Sequence, residues 1–111
     1  MSEEAPVLDT IAAMTAASIE NTSLGDRDVM LCRIAALAAS GAPAVSYLAN
    51  LGAAADSGVT LEDARGVLTA VAPIIGAPRT VVAATNISRA LGFVIMAVEE
   101  EILAELEAES E

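Results

Sequence analysis

The chain has 111 residues and a net charge of -11, and 55% of it is hydrophobic although aromatic residues make up only 2%. That length accommodates one domain, residues 1–111, able to bury a core without disulfides or metal. Five Arg, no Lys and two aromatic residues, Tyr47 and Phe93, offer neither a basic patch nor a stacking platform, which excludes nucleic acid as a partner.

The acidity belongs to the ends. Residues 1–10 hold three acids and residues 99–111 hold seven Glu, while residues 11–98 set six acids against all five Arg. The terminal Glu run reads as a solvated face that keeps an alanine-rich protein soluble. Its apolar excess rests on Ala and aliphatic side chains, more than one chain's polar surface can cover, so self-association is expected. The start, Met-Ser-Glu-Glu-Ala-Pro, is acidic where a signal peptide needs positive charge, and Cys32 has no second Cys to pair with; a cytoplasmic location is expected. Residues 34–55 are uncharged over a length able to span a bilayer. Ser40, Gly41, Pro43, Ser46, Asn50 and Gly52 interrupt that run, so it reads as a buried helical hairpin, with no membrane as partner.

In chain order, Val7, Leu8, Ile11, Met14 and Ile19 form a stripe that predicts a first helix from about Pro6 to Glu20, with Pro6 in its first turn. Leu24-Gly25-Asp26 opens a second, with Asp26 and Asp28 where the helix dipole favours negative charge. Val29, Met30, Cys32, Ile34, Ala35 and Leu37 then give apolar cover almost all round, which predicts a buried helix with Cys32 as a small core residue. Ser40-Gly41 ends it. Pro43 suits the first turn of a third helix carrying Val45, Leu48 and Leu51 to a stop at Asp56-Ser57-Gly58, and the tight connection predicts antiparallel neighbours. Thr60-Leu61-Glu62-Asp63 resembles a capping box opening a fourth helix, with Val67, Leu68, Val71, Ile74 and Ile75 at helical spacing. Pro73 should kink or tighten it before Gly76. The longest helix starts at Pro78, carries a stripe from Val81 and Val82 through Ile87 and Leu91 to Leu106, bends at Gly92, and frays after about Leu106. The fold class is therefore all-α, about five helices.

Three stretches together resemble the carboxymuconolactone decarboxylase superfamily, which includes alkylhydroperoxidase D. They are Leu24-Gly25-Asp26-Arg27-Asp28, then Ala53-Ala54-Ala55-Asp56-Ser57-Gly58-Val59-Thr60-Leu61-Glu62-Asp63-Ala64, and Ala70-Val71-Ala72-Pro73-Ile74-Ile75-Gly76-Ala77-Pro78. Family members similarly have an Ala-rich helix ending in Gly-x-Thr-x-Glu-(Glu/Asp) and a later Gly-x-Pro that starts the last core helix. The likeness covers roughly residues 20–95. It implies an all-helical alkylhydroperoxidase D-like domain assembling as homo-trimers or homo-hexamers.

The same resemblance implies a lost activity. Peroxidase members carry Cys-x-x-Cys-x-x-x-His and an upstream Glu; counting back from Gly58 puts Pro43 and Ser46 at the Cys positions, Asn50 at the His and Leu31 at the Glu. Thiol peroxidase chemistry needs a thiolate to attack, a thiol to resolve and a proton-moving pair, none of which these residues supply. Glu20, Asp26, Asp28, Asp56, Glu62 and Asp63 all fall near helix ends, where capping or dipole compensation explains them.

Ser46, Tyr47 and Asn50 lie together on one helix, at the positions where the resemblance puts the pocket of active relatives. Asn50 could hold a ligand there without shuttling a proton; alternatively, Ser46 bonds back to its own helix and Asn50 bridges to a neighbour. Arg79 occupies a first helical turn, where the dipole disfavours a cation, so it should meet an acid of another subunit or a small anionic ligand. Arg33, amid an apolar helix, raises the same question. No cofactor and no metal are expected. The reading is a binding or structural homo-oligomer; the alternative is a cofactor-independent decarboxylase or lactone-type enzyme, with Arg79 or Arg33 gripping a small carboxylate and Tyr47 or an acid moving protons.

Overall fold

The computed structural model describes residues 5–109 as five helices: α1 (Pro6–Asn21), α2 (Asp26–Ser40), α3 (Ala44–Asp56), α4 (Leu61–Ile75) and α5 (Ala77–Glu109). Among the described residues there is no strand. The protein is all-helical, as the periodicity required. α5 continues unbroken through Gly92 and past Leu106 to Glu109, so the expected fraying does not begin there; residues 110 and 111 lie outside the described part.

Local chemistry sets the helix ends. α2 closes on Gly41 at φ 70, a left-handed conformation that a side chain would strain, and the Ala42 N–H donates to the Leu37 carbonyl at 3.0 Å. α3 ends the same way: Gly58 sits at φ 80 and the Val59 N–H donates to the Ala54 carbonyl at 2.9 Å. Each turn returns an apolar residue to the core, since Ala42 and Val59 both pack against buried clusters. α4 starts with a reciprocal capping box. The Asp63 N–H donates to Thr60 Oγ1 at 3.1 Å and the Thr60 N–H donates to Asp63 Oδ2 at 2.9 Å. Arg27, in the first turn of α2, reaches the other oxygen of Asp63 at 2.7 Å, tying the two helix starts together.

The core lies among α2, α3, α4 and α5. Ile34 and Ala38 meet Tyr47, Ala64, Leu68, Ala83, Ile87 and Ala90 in one cluster. A second joins Val29 and Met30, near the start of α2, to Ala54, near the end of α3; the two helices therefore run antiparallel. The uncharged run 34–55 is thus a helical hairpin that turns at residues 41–43. α1 contributes no buried residue.

The buried faces differ from the sequence expectation, and alanine is the reason. α2 was expected to be covered nearly all round, yet only Val29, Met30, Ile34 and Ala38 are buried, and Cys32, about 200° round the helix from Ile34, is exposed. On α3 the expected Val45 and Leu48 are exposed, whereas Tyr47 and Ala54 are buried. On α5 Val81 and Val82 face outward while Ala83, Ile87 and Ala90 face in. Where helices approach closely, small side chains occupy the contact and the larger aliphatics are displaced to its flanks. α4 runs through Pro73 to Ile75, with Pro73 exposed and one helical hydrogen bond forgone. By length and composition alone α5 could cross a membrane; from Ala83 to Ala90 its inner residues belong to the core.

Thr60→Ala should lower unfolding free energy by about 1 kcal/mol, with Thr60→Ser retaining most of it, as a urea titration would read. Asp63 carries a second expectation. The hydrogen bond from the Thr60 backbone is the largest influence on its carboxyl; desolvation opposes it, and the Thr60 hydroxyl and Arg27 add to it, so the net effect holds the carboxyl below the ordinary value of 3.8. The unfolded chain therefore binds the proton first on acidification, and this contribution is present above 3.8 and lost as pH falls through the lower folded value. Asp63→Asn should flatten the acid limb of the stability profile relative to the parent chain.

Candidate functional site

α2, α3, α4 and α5 line a cavity of about 360 Å³ that is partly open to solvent. Its walls include Ile34 and Leu37 from α2, Leu51 and Ala54 from α3, Ala64 from α4 and Ile87 from α5, and among the described residues no charged one lines it. Tyr47, Asn50 and Thr60 are the polar side chains among its lining residues. The cavity exists because α3 turns a tyrosine inward between helices otherwise packed through alanine and mid-sized aliphatics, which do not fill the space beside the ring.

Tyr47 is only 3% exposed, and its buried hydroxyl has no hydrogen-bond partner among the described residues. Burial pushes its ionisation above the ordinary 10.0, so it is a neutral donor at physiological pH. Asn50 is half-buried, and its Nδ2 donates to the Ser46 carbonyl at 2.8 Å. The amide that was to bridge outward thus bonds back within its own helix, and Ser46 contributes its backbone there. Ser46 is not among the cavity-lining residues.

The two arginines lie elsewhere. Arg33 and Asn50 border a shallower groove between α1 and α2, where Arg33 Nη2 donates to Ser18 Oγ at 3.4 Å, a long and weak contact. Arg79 donates to the Ala39 carbonyl in the last turn of α2. Its compensating charge is therefore the negative end of the α2 dipole, where the sequence suggested a foreign acid or an anion. Seven residues on, two turns along the same face, Asn86 Nδ2 donates to the Ala42 carbonyl at 3.1 Å. Together these side chains fasten α5 to the corner between α2 and α3. Sequence reasoning passed over Asn86, although its spacing from Arg79 was a usable signal.

The structure thus brings Tyr47 and Asn50 to one cavity, and separates Ser46, Arg33 and Arg79 from it. Thr60 joins them through a role the sequence read only as capping. Among the described residues no three His, Cys, Asp or Glu gather in a group able to hold a metal. The single thiol is on the exposed side of α2. Comparison with protein-family models, with curated proteins and with solved structures returns no match.

Two measurements check these assignments. Arg79→Ala and Asn86→Ala should each lower stability by about 1 kcal/mol in denaturant titrations, since each removes one hydrogen bond to a carbonyl at the α2 corner. Ultraviolet difference titration of the phenolate should show Tyr47 ionising above 10.0 in the folded chain. Because the unfolded chain loses that proton first, stability should fall as pH rises beyond 10.0, and Tyr47→Phe should remove this fall.

Proposed function

We propose that the chain is the subunit of a homo-oligomer of the alkylhydroperoxidase D-like type, a binding or structural member of the carboxymuconolactone decarboxylase superfamily without thiol peroxidase chemistry. The observation that carries the self-association is surface. The single chain exposes 7734 Å², whereas a compact monomer of 11.2 kDa exposes roughly 5700 Å². Its radius of gyration of 16.5 Å likewise exceeds the roughly 13 Å of a compact chain this long. The excess, about 2000 Å² per chain, is the scale of an obligate interface.

The exposed groups are of the right kind. Val7, Leu8, Ile11, Met14 and Ile19 on α1 and Ile95, Val98, Ile102, Leu103 and Leu106 on the distal half of α5 are all largely solvent-facing in the single chain. Two apolar helical stripes offered by every copy suit trimeric or hexameric closure. Family membership rests on the order of the helix stops and starts from Leu24 to Pro78, which the five-helix architecture is compatible with. The enzymatic alternative finds less support, because the cavity presents no cation to a carboxylate.

Native mass spectrometry should find trimers or hexamers, and the double change Ile11→Asp with Met14→Asp should disperse them into helical monomers. A parent chain that is monomeric at micromolar concentration would overturn the proposal. Thiol-dependent peroxide turnover should be absent, and Cys32→Ser should change nothing; turnover lost in that variant would refute the assignment of Pro43 and Ser46 to the two Cys positions.

A further inference from the structure

We propose that the acidic distal part of α5, residues 95–109, docks in the groove between α1 and α2 of a second copy of the chain, a contact that rests on the homo-oligomer reading and says how its subunits meet. Every residue from 95 to 109 is exposed, and in α1 only Asp9 is partly covered. Both helical segments therefore pack against little of their own chain. A helix of about 15 residues holds poorly in water without a packed face, so each calls for a partner.

Groove and tail match in shape. The groove is an open space of about 480 Å³ bordered by Ile11 and Met14 of α1 and by Arg33 and Leu37 of α2. α1 is about 24 Å long, and residues 95–109 run about 22 Å. Ile95, Val98, Ile102 and Leu106, spaced by three and four, form the exposed stripe that enters it. They match in charge as well. Arg33 is the one charged residue among the described residues that line the groove; it is half-buried, and its hydrogen bond there is the weak one to Ser18. The tail brings six Glu between residues 99 and 109, with Glu99 and Glu105 beside the stripe. Arg33 thus meets the acid of another subunit that a cation amid an apolar helix calls for, whereas tail against tail would set like charges face to face. Each copy offers its groove and its tail at different places, so the contact is heterologous and closes into a ring such as a trimer.

Photo-methionine, a near-isosteric diazirine analogue, tests this contact when it replaces the methionines of the full chain, because Met14 borders the groove and Met96 lies on the exposed tail. After illumination, covalent dimers should carry crosslinks from Met14 to residues 95–109 of the other copy and from Met96 to its α1 or α2. Arg33→Glu should raise the subunit dissociation constant about ten-fold, Arg33→Lys should leave it near the parent value, and circular dichroism should show intact helices in both. The crosslinks need no substitution, so they decide the matter even where a variant is unstable. Crosslinks from Met96 to residues 95–109 of the other copy would mean tail-to-tail pairing and overturn the proposal while the oligomer stands. Oligomers that lack the link from Met14 to the tail, or that are indifferent to Arg33→Glu, would overturn it too. A monomeric parent chain would overturn both this contact and the homo-oligomer.

Discussion

Close helix approach through alanine governs this structure. Ala38 and Ala90 have no exposed surface and Ala83 has almost none, so α2 and α5 contribute their smallest side chains to the common core. A contact of this kind wins dispersion energy from proximity of backbones more than from bulk. It also limits what one chain can bury. Leu, Ile and Val side chains that would fill the interior of a looser bundle are left outside, and α1 is left with no buried residue of its own.

The polar contacts are concentrated where the helices turn. Arg27 joins the start of α2 to the capping box of α4, and Arg79 with Asn86 holds α5 to the far end of α2. Both ends of α2 are thereby tied, and the hairpin with α3 is closed at Gly41 by a backbone turn that also seats Ala42. This framing holds α3 with Tyr47 facing inward. The residual space beside the ring follows from a rigid frame around an imperfectly filled interior.

Helix boundaries were legible because their causes are local. Gly41, Gly58 and Gly76 stop helices, Thr60 with Asp63 starts one, and the structure puts those boundaries within a residue or two of the sequence reading. Faces were less legible. Judging orientation by the largest aliphatics selected Val45 and Leu48 on α3 and Val81 and Val82 on α5, all of which prove exposed, because in a close-packed alanine interface size is a poor guide to burial. For the site, a spacing of three residues was enough to bring Tyr47 and Asn50 to one cavity. Arg79 was not legible, since its partner lies forty residues earlier and is a backbone carbonyl that no side-chain pattern announces. Nor does a sequence pattern reveal that a particular tyrosine hydroxyl lacks a partner.

The distal part of α5 joins two opposing tendencies in one surface. Ile102, Leu103 and Leu106 are exposed beside Glu99, Glu100, Glu101, Glu105, Glu107 and Glu109, all within about three turns of helix. At low ionic strength the Debye length, about 30 Å at 0.01 M, carries the repulsion of such a polyelectrolyte segment across any close pair of copies; at 1 M it shrinks to about 3 Å. Salt therefore acts on this end as a counterweight, screening the carboxylates while leaving the aliphatic attraction in place, so that added electrolyte draws like ends together where it would loosen a contact made of opposite charges.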